Sequence, residues 1–143
     1  MVFLVHHAEA AEAHIDPQRG LTEAGRRHAE RLAQSAARRG VKPAAIWHSG
    51  KLRARQTAAA FWQCCNPLAE FSAIRGLQPT DPAEWMRDRI LGEQRDVMLV
   101  GHMPHLRLLL DLLTGRDLQS FPIHGLVSLD WDGTAGQEAW RLE

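Results

Sequence analysis

Short apolar runs alternate along the chain with longer stretches in which apolar residues recur every three or four positions. Three runs have the composition of buried strands in a parallel sheet: VFLV (2–5), AAIW (44–47) and DVMLV (96–100). Between the first two, helical spacing predicts a helix over about 22–39, begun by Thr22 and ended by Gly40. This alternation predicts a parallel α/β sheet with helices on both faces.

Three further helices continue this pattern. The segment LRARQTAAAFWQCC follows the second strand, with Ser49 and Gly50 at its entry and Ser49 as the expected N-cap. Asp81 and Pro82 are typical of an N-cap and first turn, and predict a helix that runs to about Leu91. The segment HLRLLLDLLTG follows the third strand.

The C-terminal segment GLVSLDWDGTAGQEAWRLE has two alternating runs around a turn, which predicts an antiparallel hairpin. The expected fold is therefore a three-layer α/β/α arrangement with a mainly parallel central sheet and an antiparallel C-terminal edge. A chain of 143 residues suits a single domain, and we expect residues 1–143 to form one.

Composition narrows the classes of partner. Lys plus Arg equals Asp plus Glu, at 17 each, so no overall field favours nucleic acid or a membrane surface. The two cysteines, Cys64 and Cys65, are adjacent and cannot join distant parts of the fold, which is typical of a reducing compartment. Without a signal-peptide pattern or a long apolar run, we expect a cytoplasmic monomer.

Histidines follow all three predicted parallel strands. His6 and His7 follow the first, His48 with Ser49 follows the second, and His102 follows the third. Because ligands of such sheets bind at the carboxyl ends of the strands, this edge is predicted to be an active site. Arg53 lies in the first turn of the helix that follows the second strand and adds a guanidinium. The N-terminus of that helix adds unpaired backbone N–H groups. Together these groups indicate a pocket for a small anion, most naturally phosphate.

A histidine-ligated metal site is the alternative that these residues leave open. His102 and His105 form an H-x-x-H pair at a helix start, near His6, His7 and His48, and zinc or iron could bind such a set. Two observations favour the anion pocket: no carboxylate ends a matching strand, and Arg53 would repel a cation.

The segments LVHHAEA, SGKLRARQTA and LVGHMPHL, in this order, resemble the histidine phosphatase superfamily, and in particular its short SixA-type branch of phosphohistidine phosphatases. The resemblance runs from residue 2 to about residue 115 and implies a phosphoglycerate mutase-like fold. It implies that His7 attacks phosphorus and carries the phosphoryl group, and that Arg53 and His102 bind the phosphoryl oxygens. It also implies phosphatase chemistry without a metal or other cofactor.

His6 departs from the pattern, because the family usually has an arginine there. The loss of a permanent charge suggests either a weaker, more pH-sensitive pocket or a catalytically impaired module that only binds phosphorylated partners. For an active enzyme we expect His6 to act partly as an imidazolium, so that activity falls with rising pH more steeply than in His6→Arg. Gly50, where the family often has proline, is expected to alter only the stiffness of the helix entry.

The remaining candidates concern proton transfer and the pocket rim. Asp81 and Glu84 are possible general acids, although the simpler explanation, a helix N-cap and a first-turn acid, accounts for both residues and is preferred. The expected rim residues are His48, Ser49, His105 and His124. The expected substrate is phosphohistidine on a signalling or phosphotransfer protein, with small phosphate monoesters as the alternative.

Overall fold

The computed structural model describes residues 1–143, which form six strands and four helices. In chain order the elements are β1 (Val2–His6), α1 (Glu23–Arg38), β2 (Ala45–His48), α2 (Leu52–Cys65), β3 (Glu70–Ala73), α3 (Ala83–Ile90), β4 (Val97–Gly101), α4 (His105–Thr114), β5 (Leu126–Trp131) and β6 (Gly136–Leu142).

The strands form one sheet in the order β3-β2-β4-β1-β5-β6. The pairs β2–β3, β2–β4 and β1–β4 are parallel, whereas β5 pairs antiparallel with both β1 and β6. This confirms the predicted α/β fold and its antiparallel C-terminal edge. Since β2, β4 and β1 are parallel neighbours, their carboxyl ends lie along one edge of the sheet.

Both faces of the sheet are covered, which explains why β1, β2 and β4 are apolar at every position before their last residue. In β1, Val2 and Leu4 face a core that includes residues of α3 and α4. Phe3 and Val5 face a second core that includes residues of α1 and α2. Successive side chains of a strand point to opposite faces, so a run without polar residues is what two apolar layers require.

Helix α1 begins as the sequence predicts and positions the loop after β1. The Thr22 hydroxyl accepts a hydrogen bond from the Gly25 N–H at 2.9 Å. A Cβ at position 25 would overlap the carbonyl oxygen of Glu9, so glycine allows this loop to lie directly against the helix. The chain then leaves the helix through Gly40, whose φ is +83°.

Two expectations about local structure are wrong. Strand β3 was not predicted, because its four residues form an edge strand without a fully buried side chain and show no hydrophobic periodicity. Helix α3 begins at Ala83 with Pro82 at the N-cap position. Asp81 therefore does not cap it; instead, its carboxylate accepts the Gln78 N–H at 2.9 Å. Among the four helices, none has the length and apolar character that crossing a membrane requires.

Candidate active site

The edge formed by the carboxyl ends of β1 and β4 brings three of the predicted histidines together. His6 is the last residue of β1, His7 follows it, and His102 directly follows β4. The ring centroids are 4.5 Å apart for His6 and His7 and 5.1 Å apart for His7 and His102. The structure therefore places these three imidazoles side by side at one edge of the sheet.

The ring of His7 is held in one tautomer. Its Nδ1 donates a hydrogen bond to the carbonyl oxygen of Ala8 at 2.7 Å, so the neutral ring carries its lone pair on Nε2. The same peptide is fixed from α2: the Ala8 N–H donates to the Thr57 hydroxyl at 3.0 Å, and that hydroxyl donates to the Arg53 carbonyl at 2.8 Å. Burial lowers the pKa of His7 to about 4, so Nε2 is unprotonated near neutral pH.

His102 lies against Ser49, which places that serine inside the pocket. The His102 Nε2 and the Ser49 hydroxyl are 2.7 Å apart, and the hydroxyl also accepts the Lys51 N–H at 3.3 Å. Burial and the neighbouring His7 lower the pKa of His102 to about 3, so this ring too is neutral. The expectation that Ser49 caps α2 is wrong: Lys51 occupies the N-cap position, because the chain turns one step later at Gly50 with φ +90°.

Positive charges surround these neutral rings. Arg53 has a buried Nε without a hydrogen-bond partner in the protein, and burial together with Arg19 lowers its pKa. A guanidinium nevertheless stays protonated at neutral pH. Arg53 and Arg19 both act on His7, and Arg53 and Lys51 both act on His102, in each case disfavouring the imidazolium. The charged side chains that act on these two histidines are thus cationic, as an anion pocket requires.

His6 accepts a hydrogen bond at Nδ1 from the backbone N–H of His124, at 2.8 Å. The neutral ring must therefore carry its proton on Nε2, where it can donate one hydrogen bond. Burial, followed by the neighbouring His7 and His124, lowers the pKa of His6 to about 3. The unliganded pocket therefore favours a neutral His6, and the expected imidazolium would have to form beside a bound phosphoryl group.

His124 enters the site from the loop before β5. Its ring stacks on His6 with centroids 4.9 Å apart and planes within 5°, and its Nδ1 donates to the His7 carbonyl at 2.7 Å. Its own carbonyl accepts a hydrogen bond from the Nε2 of His28 at 2.9 Å. His124 was predicted only to close the rim, whereas in the structure it contacts both His6 and His7.

The other predicted rim residues lie outside this cluster. His48 is buried against Phe71, with its Nδ1 accepting the Gly50 N–H at 3.0 Å, and burial lowers its pKa. His105 is fully buried in the first turn of α4, and neither of its ring nitrogens has a hydrogen-bond partner. These residues face the interior because their positions in β2 and α4 point into the layers between sheet and helices.

Neither candidate acid forms a hydrogen bond with the histidines of the cluster. Asp81 lines a cavity next to Ser49 and Gln78, and the side-chain amide of Gln78 donates to the Ser49 carbonyl at 2.7 Å. The histidine on which Asp81 acts electrostatically is His105. Glu84 is exposed in the first turn of α3, as the simpler explanation of this residue predicted.

The histidines that could bind a metal in the structure differ from those that the sequence suggested. The imidazoles with metal-like spacing are His6, His7 and His124, with one nitrogen of each within 4.8 Å of the others, and not the H-x-x-H pair. However, Nδ1 of His6 is occupied by an amide N–H, and its Nε2 then carries a proton. Only His7 and His124 can offer a lone pair from Nε2, which is fewer ligands than a zinc site uses.

Sequence reasoning missed three residues of this site: Arg19, Lys51 and Thr57. Arg19 lies in the loop after β1 with φ +53°, and its Nε donates to the Ala11 carbonyl at 3.0 Å. Only the position of Thr57, one helical turn after Arg53, could have suggested its contact with that residue.

Comparison with known proteins shows similarity to histidine phosphatases. A family model described as histidine phosphatase superfamily (branch 1) matches residues 2–85. A candidate phosphohistidine phosphatase SixA from Agrobacterium tumefaciens is 33% identical, with a TM-score of 0.85 over 99% of this chain and 96% of its own. No curated protein matches the chain in sequence.

Two further solved structures show similarity of fold. The protein histidine phosphatase SixA in complex with tungstate has a TM-score of 0.88 at 23% identity, over 99% of this chain and 95% of its own. A phosphoserine phosphatase from Entamoeba histolytica in complex with 3-phosphoglyceric acid has a TM-score of 0.74 at 14% identity, over 99% of this chain and 96% of its own.

Proposed function

Because the chain belongs to the histidine phosphatase superfamily, we propose that it is a phosphohistidine phosphatase that works through a covalent phospho-His7 intermediate. The observation that carries this proposal is the fixed tautomer of His7. The Ala8 carbonyl holds the proton on Nδ1, and burial keeps Nε2 free of a proton. A neutral imidazole nitrogen next to a guanidinium is suited to attack phosphorus.

The reaction proceeds in two transfers. The lone pair on Nε2 of His7 forms a bond to phosphorus while the bond from phosphorus to the substrate nitrogen or oxygen breaks. Water then attacks the same phosphorus, the bond to His7 breaks, and inorganic phosphate leaves. Such transfers need positioning and charge neutralisation more than covalent assistance, and Arg53, Arg19 and Lys51 supply the positive charge.

His6 supports an active enzyme rather than an impaired binding module. An arginine there would supply a charge, but the neutral His6 still offers one N–H donor, from Nε2. Arg19 brings a second guanidinium close enough to act on both His7 and Arg53. The pocket therefore keeps two guanidinium groups although position 6 is not arginine.

Phosphohistidine on a protein is the substrate that the relatives favour. The 33%-identical protein is described as a candidate phosphohistidine phosphatase, and similar proteins often share a substrate class. A phosphoramidate substrate also depends less on a strong carboxylic acid, which fits a site in which the Asp81 carboxylate is engaged with the Gln78 N–H and Glu84 is exposed.

The test is to follow phosphoryl transfer from two labelled donors, a phosphohistidine-bearing protein and a phosphate monoester. We expect label to appear on the protein within one turnover, to survive alkali but not acid, and to map to the peptide that contains His7. We also expect the phosphohistidine donor to react at least ten times faster. Acid-stable label, for example on Ser49, would overturn the mechanism, and faster transfer from the monoester would overturn the substrate class.

The role of His6 gives a separate prediction. We expect wild type, His6→Gln and His6→Arg to show parallel profiles of kcat/KM between pH 6 and 8, because the His6 ring is neutral throughout that range. His6→Ala, which removes the N–H donor, should lower kcat/KM by about 10- to 100-fold, the effect of one hydrogen bond to a charged group. If kcat/KM of the wild type falls with rising pH while that of His6→Gln stays level, His6 acts as an imidazolium and this prediction is wrong.

A further inference from the structure

Hydrogen bonds and ring stacking fix both the side chain and the backbone of His124. The side chain donates from Nδ1 to the His7 carbonyl, and the backbone N–H donates to His6. The ring lies flat on His6, and the carbonyl is bonded to His28. Its φ of +55° is uncommon for a residue with a side chain, although histidine tolerates it better than most. These contacts hold the ring in a single orientation.

In this orientation Nε2 of His124 has no hydrogen-bond partner in the protein. Since Nδ1 carries a proton that is donated to a carbonyl, the neutral ring has its lone pair on Nε2. A nitrogen of His124 lies within 4.8 Å of a nitrogen of His7. The two ring centroids are 6.0 Å apart. Because Nδ1 of each ring is engaged with a carbonyl, Nε2 of His124 is the nitrogen left to meet an atom of a tetrahedral group bound to Nε2 of His7.

We propose that His124 exchanges protons with the substrate, a role that rests on the proposed function. Beside a phosphoryl dianion, the form of His124 that carries a second proton, on Nε2, is favoured. It gives this proton to the leaving nitrogen or oxygen as the bond from that atom to phosphorus breaks and the bond from phosphorus to His7 forms. Neutral His124 then takes a proton from water as the water oxygen bonds to phosphorus. The bonding pair returns to Nε2 of His7, and His124 is protonated again for the next cycle.

Asp81 is the competing proton donor, and its position argues against it. Its carboxylate is bonded to the Gln78 N–H and acts electrostatically on His105. His124 is hydrogen-bonded to the His7 carbonyl, whereas no hydrogen bond joins Asp81 to His7. Proton transfer requires an acid within hydrogen-bond reach of the leaving atom, which His124 satisfies more directly.

The experiment measures phosphoenzyme formation from phenyl phosphate and from nitrophenyl phosphate, whose leaving group needs little protonation. The variant His124→Asn is matched to the site, because asparagine accepts the left-handed backbone and places an amide N–H where Nδ1 lies. We expect His124→Asn to slow formation from phenyl phosphate by about 100-fold or more, and from nitrophenyl phosphate by less than about fivefold. Hydrolysis of the phosphoenzyme should also slow by about 100-fold, with binding of inorganic phosphate unchanged.

Asp81→Asn is the control, and it should slow both esters alike, by less than about fivefold. Equal slowing of the two esters in His124→Asn, or weaker phosphate binding that accounts for its effect, would overturn the proposal. So would leaving-group selectivity that appears in Asp81→Asn instead. If His124→Asn does not fold, His124→Gln is compared in the same assay. If the wild type forms no phosphoenzyme from any donor, the proposed function is overturned as well. If the wild type forms a phosphoenzyme but His124→Asn slows both esters equally, only the role of His124 is overturned.

Discussion

His7→Ala is expected to lower phosphatase turnover by at least about a thousandfold and to abolish the phosphoenzyme. The substitution removes the attacking nitrogen. Of the other rings, His102 has its Nε2 engaged with Ser49, His6 has its Nδ1 engaged with a backbone amide, and His124 is held by the His7 carbonyl in the position from which we expect it to exchange protons. Loss of a nucleophile typically removes several orders of magnitude of rate, because the remaining groups can only bind and polarise the substrate. The measurement is single-turnover phosphate release together with quenched labelling.

The variant should remain folded and should still bind inorganic phosphate, since Arg53, Arg19 and His102 are unchanged. The His7 carbonyl that fixes His124 belongs to the backbone and is also retained. His14→Ala, in the exposed part of the same loop, is the matched control and should keep wild-type activity. Turnover within tenfold of wild type in His7→Ala would mean that phosphate transfer does not pass through this residue.

The sequence predicted the fold and the convergence of the central residues for one reason. Strands buried on both faces produce apolar runs that are easy to identify, and parallel neighbours place their carboxyl ends together. His6, His7 and His102 follow such strands directly, and Arg53 lies in the first turn of the next helix. Their meeting therefore follows from topology alone.

The rest of the site depends on tertiary contacts that leave no pattern in the chain. Gly25 lets the loop after β1, which carries Arg19, lie against α1. Ser49 reads as a helix N-cap in sequence, but the turn at Gly50 moves the helix start to Leu52 and leaves the serine beside His102. Hydrophobic periodicity does not encode such turns, which is why a capping serine was predicted where a pocket residue lies.

The sequence also could not predict how the imidazole rings are oriented. Sequence suggested that His6 would carry charge, whereas an amide N–H from a residue 118 positions away sets its tautomer. His48 and His105 follow the same strand-end and helix-start logic as the pocket histidines, but their side chains point into the layers of the fold. The direction of a side chain at an element's end, and not its position in sequence, decides whether it reaches the site.

Neutral, enclosed histidines are expected to make the protein acid-sensitive. Burial is the largest cause that lowers the pKa values of His6, His7 and His102 from 6.5 to about 3, 4 and 3. Between those values and 6.5 the unfolded chain binds protons that the folded chain does not, so the stability present above pH 6.5 is lost as the pH falls toward 4. Each such histidine contributes a slope of up to about 1.4 kcal/mol per pH unit. Water in the open pocket screens part of this, so we expect the free energy of unfolding to fall by about 2 to 4 kcal/mol between pH 6 and 5.

Urea unfolding at pH 7, 6 and 5 measures this slope, and three comparisons identify its source. His6→Gln should reduce the slope by up to about 1.4 kcal/mol per pH unit, because it removes one of the groups that must stay neutral. His14→Gln, at an exposed position, should leave the slope unchanged. Inorganic phosphate should flatten it, since an anion beside the rings favours their protonated forms in the folded protein. Equal free energies of unfolding at pH 7 and pH 5 would show that these imidazoles titrate as freely in the folded chain as in the unfolded one, and the neutral Nε2 on which the mechanism depends would then require another source.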